Sequence, residues 1–233
     1  LLECDTELRS GVTPPLGFCD TGCAFIPKGE LDEDKIMTIR EAAQTRPIGL
    51  KNCDNKMIMD AQVKACESQY KSITHFTQNG FVGDRNFINN VVDMDAAGRI
   101  FSTKFEGAPE KLKHLVKNLP IIAPFDFSAA FPSMIQAWIW LVLAHRKLPA
   151  SFITLFKSLY KDARAVFSFE SVTYIIIQYL SGVLQGCPAS GWLFNSALDP
   201  FVFAFQSVLS DSRKGILRAC ADDLSFAFSR MKH

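Results

Sequence analysis

Near the end of the chain, Ala219-Cys220-Ala221-Asp222-Asp223-Leu224-Ser225-Phe226-Ala227-Phe228 sets two adjacent carboxylates between apolar runs. Leu224, Phe226 and Phe228 alternate with Ser225 and Ala227, the period of a strand with one buried face. The aspartates therefore belong to the tip of a hairpin, where a short acidic side chain can bond its own backbone. A plain surface turn accounts for one of them; two side by side repel. A divalent cation would convert that repulsion into binding, because Mg²⁺ takes carboxylate oxygens. Which reading holds depends on the residues upstream.

The chain of 233 residues is 48% apolar and 21% charged, enough for one large domain or two small lobes. Its net charge is +1, so any basic surface has to be local. The seven cysteines are odd in number and lack a disulfide-like spacing, which predicts an intracellular, reducing compartment, cytoplasm or nucleus, and no secretion. Cys19 and Cys23 have half the spacing of a zinc site, but no second Cys/His pair accompanies them, so thiols are expected. The most apolar run, Met134 to Ala144, is too short for a bilayer and reads as a core helix; no membrane partner is expected. The chain lacks an initiating Met and stops soon after the Asp pair, so a piece of something longer is expected.

In chain order, residues 1–30 read as loops with a strand at Ala24-Phe25-Ile26, and Leu31 to Arg40 as a hairpin tip or a short turn. Helices are predicted at Asp54–Tyr70, Phe87–Ile100, Glu110–Leu119, Pro132–Ala144, Ser151–Lys161 and Gly191–Val208. Ile121–Phe127 reads as a buried strand, and 165–169 with 172–180 as a hairpin turning at Glu170-Ser171. This order is α+β rather than a doubly wound parallel sheet.

Two further stretches carry chemistry. Asp126, in Phe125-Asp126-Phe127-Ser128-Ala129-Ala130-Phe131, lies where an apolar strand meets a helix. It is either a helix N-cap or a carboxylate that needs a metal. Gly182-Val183-Leu184-Gln185-Gly186-Cys187-Pro188-Ala189-Ser190 precedes the last long helix. Gly186 allows close backbone approach to a ligand, or simply makes a strand-to-helix loop.

The ordered set Asp-x-x-x-Ala-Phe (126–131), Gly-Val-x-Gln-Gly-x-Pro-x-Ser (182–190) and Ala-Asp-Asp (221–223) resembles the reverse transcriptase domain of non-LTR retrotransposons and group II introns. Upstream, Ile26-Pro27-Lys28, Arg46-Pro47-Ile48 with Leu50-Lys51-Asn52, and Gln78-Asn79-Gly80-Phe81 with Arg85 are similar to that family's finger motifs, in the family's order. The resemblance covers about residues 24–228. It implies a right-hand polymerase: an irregular segment 1–23, fingers over 24–119, and a palm over 120–233 whose antiparallel sheet packs on helices, with the thumb absent.

The resemblance also implies roles. Asp126, the Phe127 carbonyl, Asp222 and Asp223 would hold two Mg²⁺ ions, or Mn²⁺, roughly 3.5–4 Å apart, for nucleotidyl transfer to a primer 3′-hydroxyl. Asp126, Asp222 and Asp223 would be the catalytic residues. Phe131 would pack under the nucleotide sugar and reject a 2′-hydroxyl, and Gln185 and Gly186 would line the nucleotide pocket. Lys28 and Arg46 would reach the triphosphate; Gln78, Gly80, Phe81 and Arg85 would build the template path. The expected activity is that of an RNA-directed DNA polymerase acting on an RNA template, a DNA primer and dNTPs, with this fragment alone expected to be inactive for want of a thumb; the oligomeric state is left open.

Several positions depart from the family: Cys220 before Ala-Asp-Asp, Pro132 after Ala-Phe, Leu184, Gly191, and Gly83-Asp84. None removes a metal ligand. A catalytically inactive nucleic-acid-binding remnant is the alternative. A three-aspartate nuclease is weaker, because such chemistry does not call for Gln185 or a sugar-facing Phe131.

Overall fold

The computed structural model describes residues 1–29, 39–209, 211 and 213–231. The expected tip or turn at Leu31–Arg40 lies, over residues 31–38, outside the described residues. The chain forms helices α1 (Leu2–Arg9), α2 (Cys53–Ala65), α3 (Glu67–Ile73), α4 (Ile88–Glu106), α5 (Glu110–Lys113), α6 (Ala130–Ser133), α7 (Gln136–His145), α8 (Ala150–Tyr160) and α9 (Ser190–Val208). Its strands are β1 (Thr21–Pro27), β2 (Thr45–Lys51), β3 (Ile121–Phe125), β4 (Arg164–Phe169), β5 (Val172–Gln178), β6 (Gly215–Cys220) and β7 (Asp223–Phe228). The fold is mixed α+β with sheets rich in antiparallel pairs.

Contacts group the chain into two units, each assembled from separated segments: Leu1–Ala65 with Phe131–Ser190, and Cys66–Ala130 with Gly191–His233. These units interleave in sequence, whereas the segments 1–23, 24–119 and 120–233 run consecutively.

The first unit carries a four-stranded sheet in the order β2-β1-β4-β5. β1 pairs antiparallel with β2 and parallel with β4, and β4 pairs antiparallel with β5. Pro47 is tolerated because β2 is an edge strand, where one backbone N–H has no sheet partner to lose. Phe152, Leu155, Phe156 and Leu159 of α8 are buried together with Ile139 and Leu143 of α7 and Met59 of α2. The other edge, β5, is exposed along its whole length, Ile175, Ile176 and Ile177 included.

The second unit carries a three-stranded antiparallel sheet in the order β3-β7-β6. Met94, Ala97 and Phe101 of α4 pack on Ala227 of β7, with Ile216 of β6 at the margin. Phe226 meets Phe125 and Phe205 edge-on, each at 5.6 Å between centroids, and stacks on Phe228.

Five local expectations are corrected. The strand expected to be buried over 121–127 ends at Phe125 and has no fully buried residue, because it is an edge strand of its sheet. The N-terminal segment contains a helix, α1, which buries only Leu8 and is held by packing on α8, where Ser158 Oγ donates to the Leu8 carbonyl. The helix expected over 54–70 breaks at Cys66, whose backbone (φ −104°, ψ 8°) leaves the helical region. The basic helix expected over 110–119 is a single turn followed by a 3₁₀ turn, since Leu115 is extended. The helix expected from Pro132 splits into α6 and α7 at Ile135, also extended. Among the described residues no helix is long and apolar enough to cross a membrane. The seven cysteines are free thiols.

Candidate functional site

The register of the second sheet brings the aspartates to one end. Phe125 pairs with Leu224, so Asp126 just beyond β3 and Asp223 just before Leu224 stand side by side on neighbouring strands. Cys220 pairs with Asp223, leaving Ala221 and Asp222 as a two-residue turn. Ala221 takes a left-handed backbone (φ 54°) and is buried.

That turn is clamped from behind. Gln78 is 1% exposed, and its Oε1 accepts from the N–H groups of Ala221 (2.8 Å) and Gly80 (2.9 Å). Its Nε2 donates to the Ala221 carbonyl at 3.3 Å. Gly80 touches the Ala221 nitrogen where a Cβ would sit, and its carbonyl accepts from Asn195 Nδ2 at 2.6 Å. Thr77 and Asn79 extend the edge of β6 through backbone bonds to Ala219. Asn90 Nδ2 donates to the same Ala219 carbonyl at 2.9 Å.

Arg85 donates to four backbone carbonyls, those of Lys71, Thr74, His75 and Gln78, and so fixes the loop that carries Gln78. Gln78, Gly80 and Arg85 are thus the scaffold of the Asp-Asp turn. Phe81 is 62% exposed with a left-handed backbone (φ 51°), its ring seated where a Cβ on Gly191 would lie.

Electrostatics place the three carboxylates in one field. The Asp222 carboxyl is pushed up from its ordinary range, first by burial and then by the charges of Asp223 and Asp126; a backbone hydrogen bond is the only opposing influence. A cation would relieve this stress. Among the described residues no three His, Cys, Asp or Glu side chains are gathered tightly enough to hold a metal ion as they stand. The three aspartates offer hard carboxylate oxygens, the donor type that suits Mg²⁺ or Mn²⁺ and not a soft metal. Cys19 is not part of any such group; it is buried, its thiol pushed up to about 11 by burial.

The nucleotide residues named from the sequence all lie in the first unit. Arg46 on β2 pairs with Ile26 of β1, and Lys28 follows Pro27, the partner of Thr45. Lys28 Nζ donates to the Ala43 carbonyl at 3.0 Å. Gly186 (φ 82°) has the Gly49 carbonyl where a Cβ would sit, and Gly49 meets the Gln185 carbonyl in the same way. The strand bearing Arg46 and the loop bearing Gln185 thus touch backbone to backbone. Phe131 is half-buried, and its carbonyl accepts the Val183 N–H at 2.9 Å.

No family model matches the sequence. Solved structures do. Apo telomerase from Candida tropicalis truncated from its C-terminal domain superposes with a TM-score of 0.61 at 16% identity, over 94% of this chain and 45% of that one. Apo telomerase from the same organism gives 0.64 at 14%, over 94% and 41%. The Candida tropicalis telomerase in complex with a TWJ fragment of telomeric RNA gives 0.60 at 14%, over 98% and 40%. The fold is reverse-transcriptase-like. The chain spans less than half the length of those telomerase chains.

Within this reverse-transcriptase-like fold, three side chains play structural parts that their sequence pattern does not signal. Asn90 and Asn195 are ordinary helix residues by pattern, yet both bond the strands and loop behind the aspartates. Lys51 is 5% exposed, its Nζ donating to Asn55 Oδ1 (3.0 Å) and the Leu159 carbonyl (3.1 Å). Lys51 belongs to the Leu50-Lys51-Asn52 stretch named from the sequence, but a lysine at the end of a strand gives no sign of burial.

Proposed function

We propose that this chain is part of an RNA-directed DNA polymerase of the non-LTR retrotransposon and group II intron type, covering fingers and most of a palm. The observation that carries the reading is the register of β3 on β7, which sets Asp126 beside the Asp222–Asp223 turn in a reverse-transcriptase-like fold.

Asp126, Asp222 and Asp223, with the Phe127 carbonyl, would hold two Mg²⁺ ions. Bound there, the metal supplies Lewis-acid activation of a primer 3′-hydroxyl and neutralises charge on the transferred phosphoryl group. The chain's own task is positioning. Gln78 and Gly80 hold the Asp222 turn; Lys28 and Arg46 offer cations to a triphosphate; Gln185 and Gly186 line a nucleotide pocket; Phe131 excludes a 2′-hydroxyl. RNA template, DNA primer and dNTPs are the partners, in keeping with the RNA held by the telomerase neighbour.

Two measurements test this. Mn²⁺ titration followed by electron paramagnetic resonance should show binding by the wild-type chain, weakened at least tenfold in Asp126→Asn and Asp222→Asn. Primer extension on an RNA template with dNTPs, run on a longer form that includes the downstream palm and thumb, should detect added nucleotides that both substitutions abolish. Equal Mn²⁺ binding by all three proteins would remove the metal site. Metal binding without extension, in this chain and in longer forms, would favour the inactive nucleic-acid-binding remnant.

A further inference from the structure

The foot of the second sheet, opposite the aspartates, holds a cavity of about 640 Å³. Asp126 and Asp223 lie at one end of the β3–β7 ladder; Ser229, which bonds the Lys214 carbonyl, and Leu119, which accepts from Met231, lie at the other. Six residues of strand separate the ends, about 20 Å.

The cavity is amphipathic in one particular way. Its floor is apolar, made by Phe101 and Phe105 of α4 with Leu112 and Leu115. Its polar rim is Lys104, Lys117, Arg213, Lys214 and Arg230, against a single acid, Asp211. That acid is already engaged: Arg213 Nε and a terminal guanidinium nitrogen hold both its oxygens at 2.9–3.1 Å, which keeps its carboxyl down at about 2. Among the described residues no ion pair is formed by Lys104, Lys117, Lys214 or Arg230.

The whole chain nets only +1, so an excess of four positive charges around one cavity is a local concentration. Such a rim repels itself until an anion sits on it. An apolar floor beneath it asks for a ligand with a flat apolar body as well as phosphates. A free inorganic anion would leave the floor in water.

We propose that this cavity binds a single-stranded nucleic-acid segment, with phosphates on Lys104, Lys117, Lys214 and Arg230 and a base laid over Phe105, Leu112 and Leu115. The site is distinct from the aspartates and does not depend on the polymerase reading. It takes the backbone by charge and the base by stacking, so it discriminates little between sequences.

The test is fluorescence anisotropy of a short labelled oligouridylate on the full chain, titrated in salt without divalent metal. Lys214→Glu with Arg230→Glu should weaken binding at least tenfold near 0.1 M salt and reduce the slope of log affinity on log salt by about 1.4. Phe105→Ala should weaken binding several-fold and leave the slope unchanged. Lys56→Glu with Lys64→Glu, an equal charge change in the first unit, should leave binding near wild type. Far-UV circular dichroism and thermal melts establish that each variant is folded. Loss no greater than in the Lys56/Lys64 pair overturns the proposal. So does displacement of the oligonucleotide by inorganic pyrophosphate at concentrations comparable to those of unlabelled oligonucleotide, which would make this a site for free phosphates.

Discussion

Gln78 Oε1 and the Ala221 N–H are 2.8 Å apart, and through that bond a buried amide in one loop sets the turn that carries Asp222. Gln78→Leu keeps the volume but strands the polar groups of Ala221 and the Gly80 N–H. The expected cost is about 3 kcal/mol, from groups worth roughly 1–3 kcal/mol each when left buried and unpaired. Urea unfolding measures it; a loss under about 0.5 kcal/mol would mean that water replaces the clamp.

The Asp222 carboxyl is raised by burial and by Asp223 and Asp126, so the folded protein holds its proton more tightly than the unfolded chain. Between the ordinary aspartate value near 3.9 and the raised one, stability falls as pH rises, and the penalty is complete at neutral pH. Metal-free Asp222→Asn should therefore melt above wild type at pH 7, with the gap closing at acid pH below about 3.9. Added Mg²⁺ should raise the wild-type melting temperature and leave the variant's where it was. A variant that melts below wild type at pH 7 would contradict the assigned electrostatics.

How much of this was legible in the sequence follows from where each partner lies. The Asp-Asp hairpin, α4, α8 and α9 announce themselves by period, because each buries one face along its own length, whereas β3 shows only as an apolar run. The alternation around Leu224, Phe226 and Phe228 fixes both the strand and the end at which the acids emerge. Gln78 gives no such signal, since its partner Ala221 is 143 positions away. The basic cavity is equally silent, its cations spread from Lys104 to Arg230 in a chain of almost balanced charge. α1 escapes for another reason: one buried leucine makes no stripe, and its support comes from elsewhere in the chain, by packing on α8 and by bonds of Asp5 and Arg9 to Gln62.

Burial lowers the Lys51 ammonium below its usual range. The unfolded chain then binds the extra proton at moderately alkaline pH, so the lysine's contribution to stability rises with pH from the depressed value toward about 10.4. The difference in unfolding free energy between wild type and Lys51→Met should move in wild type's favour from pH 7 to pH 10. A difference independent of pH would show that Lys51 is solvated.

Gly186→Ala should be costly and Gly29→Ala cheap, although both glycines have left-handed backbones (φ 82° and 70°). A Cβ at 29 meets nothing within 4 Å, so only the backbone term of about 1 kcal/mol applies. At 186 it meets the Gly49 carbonyl, for a total of about 3 kcal/mol. Denaturant titration separates the two, and equal losses would mean that the Gln185–Gly186 loop moves away freely.

Phe131→Ala opens space where the proposed polymerase would hold a sugar. Ribonucleotide incorporation relative to deoxyribonucleotide should rise about tenfold or more. Single-nucleotide extension with each substrate gives the ratio; an unchanged ratio with activity retained would assign discrimination elsewhere.

The order β3-β7-β6 has a temporal side. The middle strand of that sheet is the last of its three to leave a ribosome, so β3, finished some hundred residues earlier, waits with no neighbour on which to zip. The first unit waits too, since β1 and β2 need β4 from beyond Phe131. Neither unit can close while the other's intervening segment is still being made, and long-range pairing of this kind is slow. The first unit can close only once residues through Ser190 are made, and the second sheet only once β7 is, so until then their apolar strands lack partners and the growing chain is open to misassembly.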